Sequence, residues 1–166
     1  MAADSQTPPG GGPAATEKRA FAIRRVYTKD ISFESPNAPQ VFSQEQWAPD
    51  VSVSLSNQAI LLGNDLHEVT LAITVTAKLA DKIAYLVEVQ QAGEFQTTGF
   101  NGNDLRELLG IYCPGLLFPF LREVVANLVT KGGFPPLLLA PVNFDLLYQQ
   151  HMKALQEQQG RQSTAN

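Results

Sequence analysis

Cys113 is the single thiol of the sequence, and a thiol is the side chain best suited to nucleophilic attack near neutral pH. It stands directly before Pro114 in an apolar stretch, with no base close to it in sequence. The two histidines, His67 and His151, would reach it only through the fold. Because a thiol reacts only where a charge or a base lowers its pKa, the pattern favours a buried, inert cysteine over a catalytic one.

Other spacings that carry chemistry are not found in the sequence. No HxxxH or CxxC spacing accompanies the histidines, as a zinc site would require. The chain contains no GxGxxG, GxxxxGK or GxSxG segment, and the glycines at 10–12 follow no strand pattern. Carboxylates such as Asp30 and Glu34 are interpreted as solvated surface. We therefore expect no catalytic residue, no metal site and no cofactor.

Length, charge and composition restrict the class of protein. The 166 residues suit a single domain at 19–158 between disordered tails at 1–18 and 159–166. A formal net charge of −4 argues against nucleic acid as a partner. A lone cysteine makes no internal disulfide and favours a reducing compartment such as the cytoplasm. Neither an apolar leader nor a run of about 18 apolar residues predicts membrane insertion.

The most apolar part of the chain predicts a long helix over residues 105–131. Asp104, with Glu107 three positions later, is an Asx form of the capping box, and the glycines and prolines after residue 131 predict its end. Pro114 and Pro119 each remove a backbone donor inside the helix. The sequence therefore predicts a kink or a helix in two pieces.

Apolar side chains occupy more than one side of this helix. One stripe consists of Leu117, Leu121, Val125 and Leu128, and a second beside it consists of Leu116, Phe120 and Val124. A helix packed on one sheet needs one stripe, and each large apolar side chain left exposed forgoes roughly 1.5–3 kcal/mol. We expect the helix to lie in a subunit interface. The alternative is a central helix covered within its own chain.

Alternation of apolar and polar residues predicts strands over residues 21–34, 49–56, 67–78 and 83–90. A break at Arg25 and Val26 predicts a bulge in the first strand, whose apolar parity includes Tyr27. Residues 57–65 and 95–102 are interpreted as loops. Short connections favour a four-stranded antiparallel sheet with helices packed on one face, an α+β fold.

Further apolar residues stand outside these elements. Phe42 and Trp47 lie in the connection between the first two strands, and residues 134–143 are apolar, bracketed by prolines and interpreted as extended. Asn143 is expected to cap a second helix. Its amphipathic face consists of Phe144, Leu147, Tyr148, His151, Met152 and Leu155.

One leucine stands among acidic residues on the polar face of the predicted sheet. Leu86 and Glu88 share even parity with Asp30 and Glu34, so the alternation directs all four away from the helices. A single exposed leucine carries little meaning. A leucine among carboxylates on a flat sheet is a candidate docking spot for another protein.

Four segments resemble SecB, the bacterial protein-export chaperone family. They are VYTKDISFESPNAP (26–39), YLVEVQQAG (85–93), CPGLLFPFLRE (113–123) and FPPLLLAPVNFDLLY (134–148). The similarity extends from about residue 21 to residue 148. It implies an ATP-independent chaperone, a holdase, that keeps preproteins unfolded in the cytoplasm and delivers them to the motor SecA. It also implies a homotetramer, a dimer of dimers, with the long helices between two sheets.

The resemblance implies roles for particular residues. The surface that receives the zinc-binding C-terminal tail of SecA, which carries its own zinc, matches Asp30, Glu34, Leu86 and Glu88. Val87, Val89 and Gln91 match positions of subunit assembly, to which the helix pattern adds Leu117, Leu121, Val125 and Leu128. A groove for unfolded clients is expected to include Phe42, Trp47, Tyr112, Phe118, Phe120, Phe144 and Tyr148.

Two other classes of protein fit parts of the pattern. One is a domain that binds an apolar ligand, or an enzyme that acts on acyl substrates through Cys113. The other is an assembly scaffold without clients. Capture of an unfolded protein, and its persistence when the thiol is removed, separates the chaperone from both.

Overall fold

This computed structural model describes residues 18–44 and 46–164, which form four long strands and a helical C-terminal half. The strands are β1 (Ala20–Glu34), β2 (Asp50–Gly63), β3 (Leu66–Leu79) and β4 (Lys82–Thr98). A short 3-10 turn, Gln40–Ser43, lies between β1 and β2. The helices are α1 (Gly102–Glu107), α2 (Cys113–Lys131) and α3 (Phe144–Thr164), and a π-helical turn (Leu108–Tyr112) joins α1 to α2.

The strands form one antiparallel sheet in the order β1-β4-β3-β2. Odd-numbered residues of β3 and β4 are buried, whereas their even-numbered neighbours keep partial exposure at most positions. Helix α2 packs on β4 and β3, on the side of the odd residues. This arrangement confirms the predicted α+β fold with a four-stranded antiparallel sheet.

Two strands extend beyond their predicted ends. The interpretation of residues 57–65 as a loop is wrong, because β2 pairs with β3 as far as Gly63 and a tight turn follows. Asn64 and Asp65 in that turn have φ values of 50° and 57°, a region that these two residue types tolerate. The predicted loop at 95–102 begins late as well, since β4 continues to Thr98. In both segments, hydrogen bonding to a neighbouring strand overrides a polar or irregular composition.

Strand β1 carries two bulges, one between Ile23 and Arg25 and one between Thr28 and Asp30. The first confirms the predicted irregularity. Between the bulges the parity inverts, so that Val26 faces the helices opposite Gly93 and Tyr27 faces away opposite Ala92. The assignment of Tyr27 to the apolar face is therefore wrong, because one extra residue turns every following side chain over until the second bulge restores the parity.

The core of the molecule is the contact between α2 and the sheet. Leu117, Leu121 and Val125 are fully buried within the chain, beside Val87 and other residues of β3 and β4. By length and hydropathy the continuous helix Gly102–Lys131 could cross a membrane. One side of this helix packs on the sheet, and its other side keeps apolar residues at the surface of the chain.

The ends of the helices partly follow the sequence signals. Asp104 lies inside α1 and forms an ion pair with Arg19 at 2.6 Å, and the N-cap position is Asn101 without a side-chain cap. The predicted capping box at Asp104 is therefore wrong. The predicted stop is confirmed, since the N–H of Phe134 donates to the Val129 carbonyl at 3.2 Å beyond Gly133, which has a φ of 87°.

Helix α3 begins where the sequence predicts and ends later than predicted. Asn143 Oδ1 accepts a hydrogen bond from the Leu146 N–H at 3.0 Å, which confirms the predicted cap. The helix then continues to Thr164, so the boundary predicted at residue 159 falls within α3. Of the predicted N-terminal tail at 1–18, only Lys18 belongs to the described residues.

A polar cluster on the other face of the sheet joins β1 to β3 across β4. The Glu68 carboxylate accepts hydrogen bonds from the Lys29 ammonium, at 2.5 Å, and from the Tyr27 hydroxyl. The Lys29 and Tyr27 hydrogen bonds lower the pKa of Glu68 below its usual value. Burial, with the Glu68 hydrogen bond, raises the pKa of Tyr27 to about 12.

We expect Glu68→Gln to lower the stability of the fold by about 1 kcal/mol at pH 7, since it removes a charged acceptor that is largely shielded from solvent. A carboxyl whose pKa is lowered by folding stabilises above its unfolded pKa of about 4, and this contribution is lost as the pH falls through the lower folded value. Thermal unfolding at fixed protein concentration, at pH 7 and at pH 3, measures the difference.

The control is Glu94→Gln, which breaks the pair with the well-exposed Arg25 and is expected to change stability less. A cost for Glu68→Gln that is equal at the two pH values would contradict a charge-dependent role for the cluster.

Candidate functional site

Four residues of the predicted docking spot come together on the face of the sheet that turns away from the helices. Glu34 is paired with Leu86 in the register of β1 and β4, and Glu88 is paired with Ser32. Asp30 lies two residues further along β1, opposite Gln90. Directly paired residues of antiparallel strands point to the same face. Asp30, Glu34, Leu86 and Glu88 therefore form one surface, named here the acidic patch.

The acidic patch carries uncompensated charge. Its three carboxylates are exposed, and Leu86 is half-buried among them. In the part of the chain that the structure describes, the ion pairs join Arg19 to Asp104, Arg25 to Glu94 and Lys29 to Glu68, so none involves the acidic patch. Close negative charges around an apolar contact point suit a partner that is basic and offers an apolar side chain.

The residues predicted for subunit contacts lie mostly inside one chain. Val87 and Val89 are 0% exposed and Gln91 is 3% exposed, because β4 is an interior strand and its odd face lies under α2. The Gln91 amide oxygen accepts a hydrogen bond from Thr28 Oγ1 at 3.1 Å.

The same holds for most of the helix residues in that set. Leu117, Leu121 and Val125 are covered by the sheet of their own chain, and only Leu128 keeps partial exposure. All six are buried within their own chain, and their assignment to subunit contacts stays a prediction. They shape the layer on which an interface would rest.

An apolar stripe remains open on the outer side of α2. Leu116, Val124 and Leu128 are partly exposed, and Phe120 is 51% exposed. These four, named here the outer stripe, recur at four-residue spacing and so share one side of the helix. The sheet buries one apolar side of α2, and the outer stripe remains at the surface of the chain.

The aromatic residues predicted for a client groove lie in separate places. Phe42 and Trp47 gather around Phe134 at the C-terminal end of α2, with ring centroids 5.0 and 5.2 Å from it. The Phe134 ring also contacts Tyr85 at 5.0 Å. Both loop aromatics keep considerable exposure, at 50% for Phe42 and 37% for Trp47. These aromatic residues form a surface, at the C-terminal end of α2, that is partly exposed to solvent.

The remaining candidates surround the other end of α2. Tyr112 is half-exposed and meets Phe21 edge-on at 5.4 Å, and buried Phe118 meets Phe144 at 5.9 Å. Tyr148 lies on α3 and faces a cleft. The structure thus does not bring the seven aromatic residues into one continuous groove.

Two largely apolar depressions lie among the helices and the sheet. The first, a cleft of about 370 Å³ named here the β2–α3 cleft, is lined by Leu55, Ser56, Asn57, Leu71, Gly110, Phe144, Leu147, Tyr148 and His151. The second, of about 430 Å³, lies between α2 and Leu138 of the extended segment. Sequence reasoning missed Leu55, Leu71 and Leu138 as lining residues. Leu55 and Leu71 have the pattern of ordinary strand residues, so nothing in the sequence marks them as lining a cleft. For Leu138, the surrounding prolines indicated an extended apolar segment that must pack against another part of the molecule.

The surroundings of Cys113 do not activate its thiol as a nucleophile. Cys113 has no exposed surface, and burial raises the pKa of its thiol to about 12, so the thiol stays protonated at neutral pH. His67 is buried elsewhere, beside Thr97 at 3.1 Å. Within residues 18–44 and 46–164 no group of three metal-ligating side chains comes together. What the surface can do is bind, through carboxylates on one face and apolar groups on the other.

Comparison with known proteins relates this geometry to a family. The family model of SecB, the preprotein translocase subunit, matches residues 14–155. The protein-export protein SecB of Nitrosococcus oceani is 57% identical over 148 residues, which cover 89% of this chain and 87% of that protein. The same-named protein of Methylococcus capsulatus is 51% identical over 141 residues, covering 85% and 90%.

A solved structure shares the fold. The SecB-like chaperone of Mycobacterium tuberculosis, in complex with a ChAD peptide from the HigA1 antitoxin, superposes with a TM-score of 0.62 at 15% identity, covering 74% of this chain and 90% of its own. Given a family model that spans nearly the whole described chain and relatives that are more than half identical, the chain belongs to the SecB family.

Proposed function

We propose that this protein is an ATP-independent holdase of the cytoplasm, which keeps preproteins unfolded and delivers them to SecA. The observation that carries the proposal is the separation of two binding surfaces by one sheet. Carboxylates gather on one face, and unsatisfied apolar surface gathers on the helix side. Membership of the SecB family supports the assignment of these surfaces to export.

The helix side suits clients that differ in sequence. Phe42 and Tyr112 are each at least half-exposed, and Leu138 is 69% exposed. Apolar surface of this kind makes contacts that depend little on sequence, whereas a site of fixed polar partners would select one ligand. An unfolded preprotein presents many apolar segments, and several separate depressions can each take one of them.

The acidic patch suits the tail of SecA. That tail is basic and binds its own zinc, so charge complementarity would steer it to Asp30, Glu34 and Glu88, with Leu86 as an apolar contact. Exposed charge pairs of this kind contribute more to the rate and orientation of docking than to affinity. Because the patch lies on the opposite face from the clefts, client and motor need not compete for surface.

Assembly as a dimer of dimers would cover the outer stripe. Exposed apolar residues on one side of a long helix are stabilised when a second copy buries them. The edge strands β1 and β2 each have one side without a partner in their own sheet, which allows a sheet to continue into another subunit. These two features support a homotetramer built on the outer stripe and a sheet edge.

We expect the purified protein to suppress aggregation of a chemically unfolded client, measured by light scattering, when one tetramer is present per client. ATP is expected to have no effect, because binding here is the burial of apolar surface. Cys113→Ala, which removes the thiol that an acyl-transfer enzyme would need, is expected to leave the suppression intact. Unaltered aggregation at a stoichiometric amount of tetramer would contradict the holdase function.

Charge reversal of the acidic patch is expected to separate the two binding activities. Asp30→Lys combined with Glu88→Lys replaces two exposed carboxylates with cations, so the basic SecA tail should bind at least tenfold more weakly. Client binding should persist. Calorimetric titration with the SecA tail and the aggregation assay measure the two effects.

The control is Glu107→Lys, an exposed carboxylate of α1 on the helix side, which is expected to leave SecA binding unchanged. Loss of both activities in the double variant would mean that the charges damage the fold or that the two sites are not separate.

Phe120→Glu is expected to dissociate the assembly, because it places a charge in the centre of the outer stripe. Native mass, about four times the 18.1 kDa of the chain in the parent protein, should fall to that of a smaller species. Leu138→Glu, at an even more exposed leucine outside the stripe, serves as the control. A variant of unchanged mass that has lost client binding would assign Phe120 to a client surface instead.

A further inference from the structure

The π-helical turn before α2 leaves one backbone carbonyl without a donor in its own helix. The Cys113 N–H donates to the carbonyl of Leu108, five residues back. In a regular α-helix it would donate to Leu109. In the wider register the donor to Leu109 would be residue 114, which is a proline and has no N–H.

Strand β2 supplies the missing donor. Asn57 Nδ2 lies 3.1 Å from the Leu109 carbonyl oxygen and donates to it. Asn57 is paired with buried Leu71 in the register of β2 and β3, so its side chain points to the helix side of the sheet. An edge strand is thereby tied to the one irregular turn of the long helix.

The same turn supports α3. A Cβ atom at Gly110 would lie 2.6 Å from Cδ2 of Tyr148, closer than real contacts allow, so the Tyr148 ring rests directly on the Gly110 backbone. Helix α3 packs on this turn. The position of the turn therefore determines where Tyr148, and α3 with it, stands above the sheet.

Asn57, Gly110 and Tyr148 all line the β2–α3 cleft, together with Leu55 and Leu71 from the sheet. The sheet residues form its floor. The turn and α3 form its wall. A change in the position of the turn would alter the width of the cleft without changing any apolar side chain in it.

We propose that Asn57 is a positioning residue for the β2–α3 cleft: by donating to the Leu109 carbonyl it holds the π-helical turn, and through the contact of Gly110 with Tyr148 it holds the wall of the cleft at the distance that admits an apolar client segment. The proposal rests on the proposed function in that the cleft is taken as a client site. Asn57 need not touch the client itself.

Asn57→Asp is the direct test, because it keeps the shape of the side chain and replaces the donor with an acceptor that repels the carbonyl. Binding of fluorescently labelled, reduced and carboxymethylated α-lactalbumin should weaken about fivefold, the ratio that corresponds to one hydrogen bond. Hydrogen exchange at the amides of Tyr112 and Cys113 should become faster by a similar factor. The charge control is Ser54→Asp on the opposite face of the same strand, which should change neither quantity.

A second variant distinguishes positioning from a general loss of stability. Pro114→Ala gives residue 114 the N–H that the Leu109 carbonyl lacks. In that background Asn57→Asp should weaken client binding by less than about twofold, because the helix can satisfy its own carbonyl. Equal effects of Asn57→Asp with Pro114 and with Ala at that position would overturn the proposal.

The experiments distinguish failure of the proposed holdase function from failure of the positioning role of Asn57. A parent protein that does not bind the labelled client removes the proposed function, and the exchange rates at Tyr112 and Cys113 then decide the role of Asn57 alone. A parent protein that binds the client, with a variant that matches it in both affinity and exchange, overturns the role of Asn57 and leaves the holdase function standing.

Discussion

The burial of one side of α2 against β3 and β4 is the interaction on which the rest of the structure depends. Leu117, Leu121 and Val125 have no exposed surface, and each contributes roughly 1.5–3 kcal/mol by leaving water. Gly93 on β4 permits this approach, since a Cβ atom there would lie 3.1 Å from Cδ2 of Leu117. The helices cover one face of the sheet and the other face is exposed to solvent, so the two faces have different chemistry.

That difference is what a protein-export chaperone of the SecB family can use. Carboxylates are tolerated on the open face because water solvates them, and apolar groups remain on the helix side because the sheet satisfies only part of them. The buried thiol of Cys113 belongs to the packing of this layer rather than to chemistry.

The irregular turn before α2 occurs where the sequence has a proline and a glycine. Pro114 removes a donor at the start of α2, and the helix before it adopts the wider π register. Gly110 lies inside that turn and accepts the ring of Tyr148, which no larger residue could do without a shift. A bulge on each side of Tyr27 turns this residue to the open face, where it joins Lys29 and Glu68. The irregular positions are therefore also the places where separate elements are tied together.

Local patterns in the sequence were enough for the strands, the long helix, the cap at Asn143 and the shared face of the acidic patch. Each depends on periodicity or on neighbours within a few residues. The length of β2 was not predictable, because pairing with β3 rather than alternation holds residues 57–63 in the sheet. The face to which Tyr27 points was not predictable either, because it depends on the bulges in β1. Their number and position are set by the pairing of β1 with β4.

The spacing of apolar side chains along the chain is enough to indicate the class of fold, and the residue pattern is enough to indicate the family. Which of those side chains are buried within the chain depends on how the elements pack in three dimensions. Both stripes of α2 look alike in sequence, yet Leu121 faces the sheet and Phe120 faces solvent. Burial depends on which segments, far apart in the sequence, pack against each other. The hydrophobicity of a residue does not indicate which distant segment covers it.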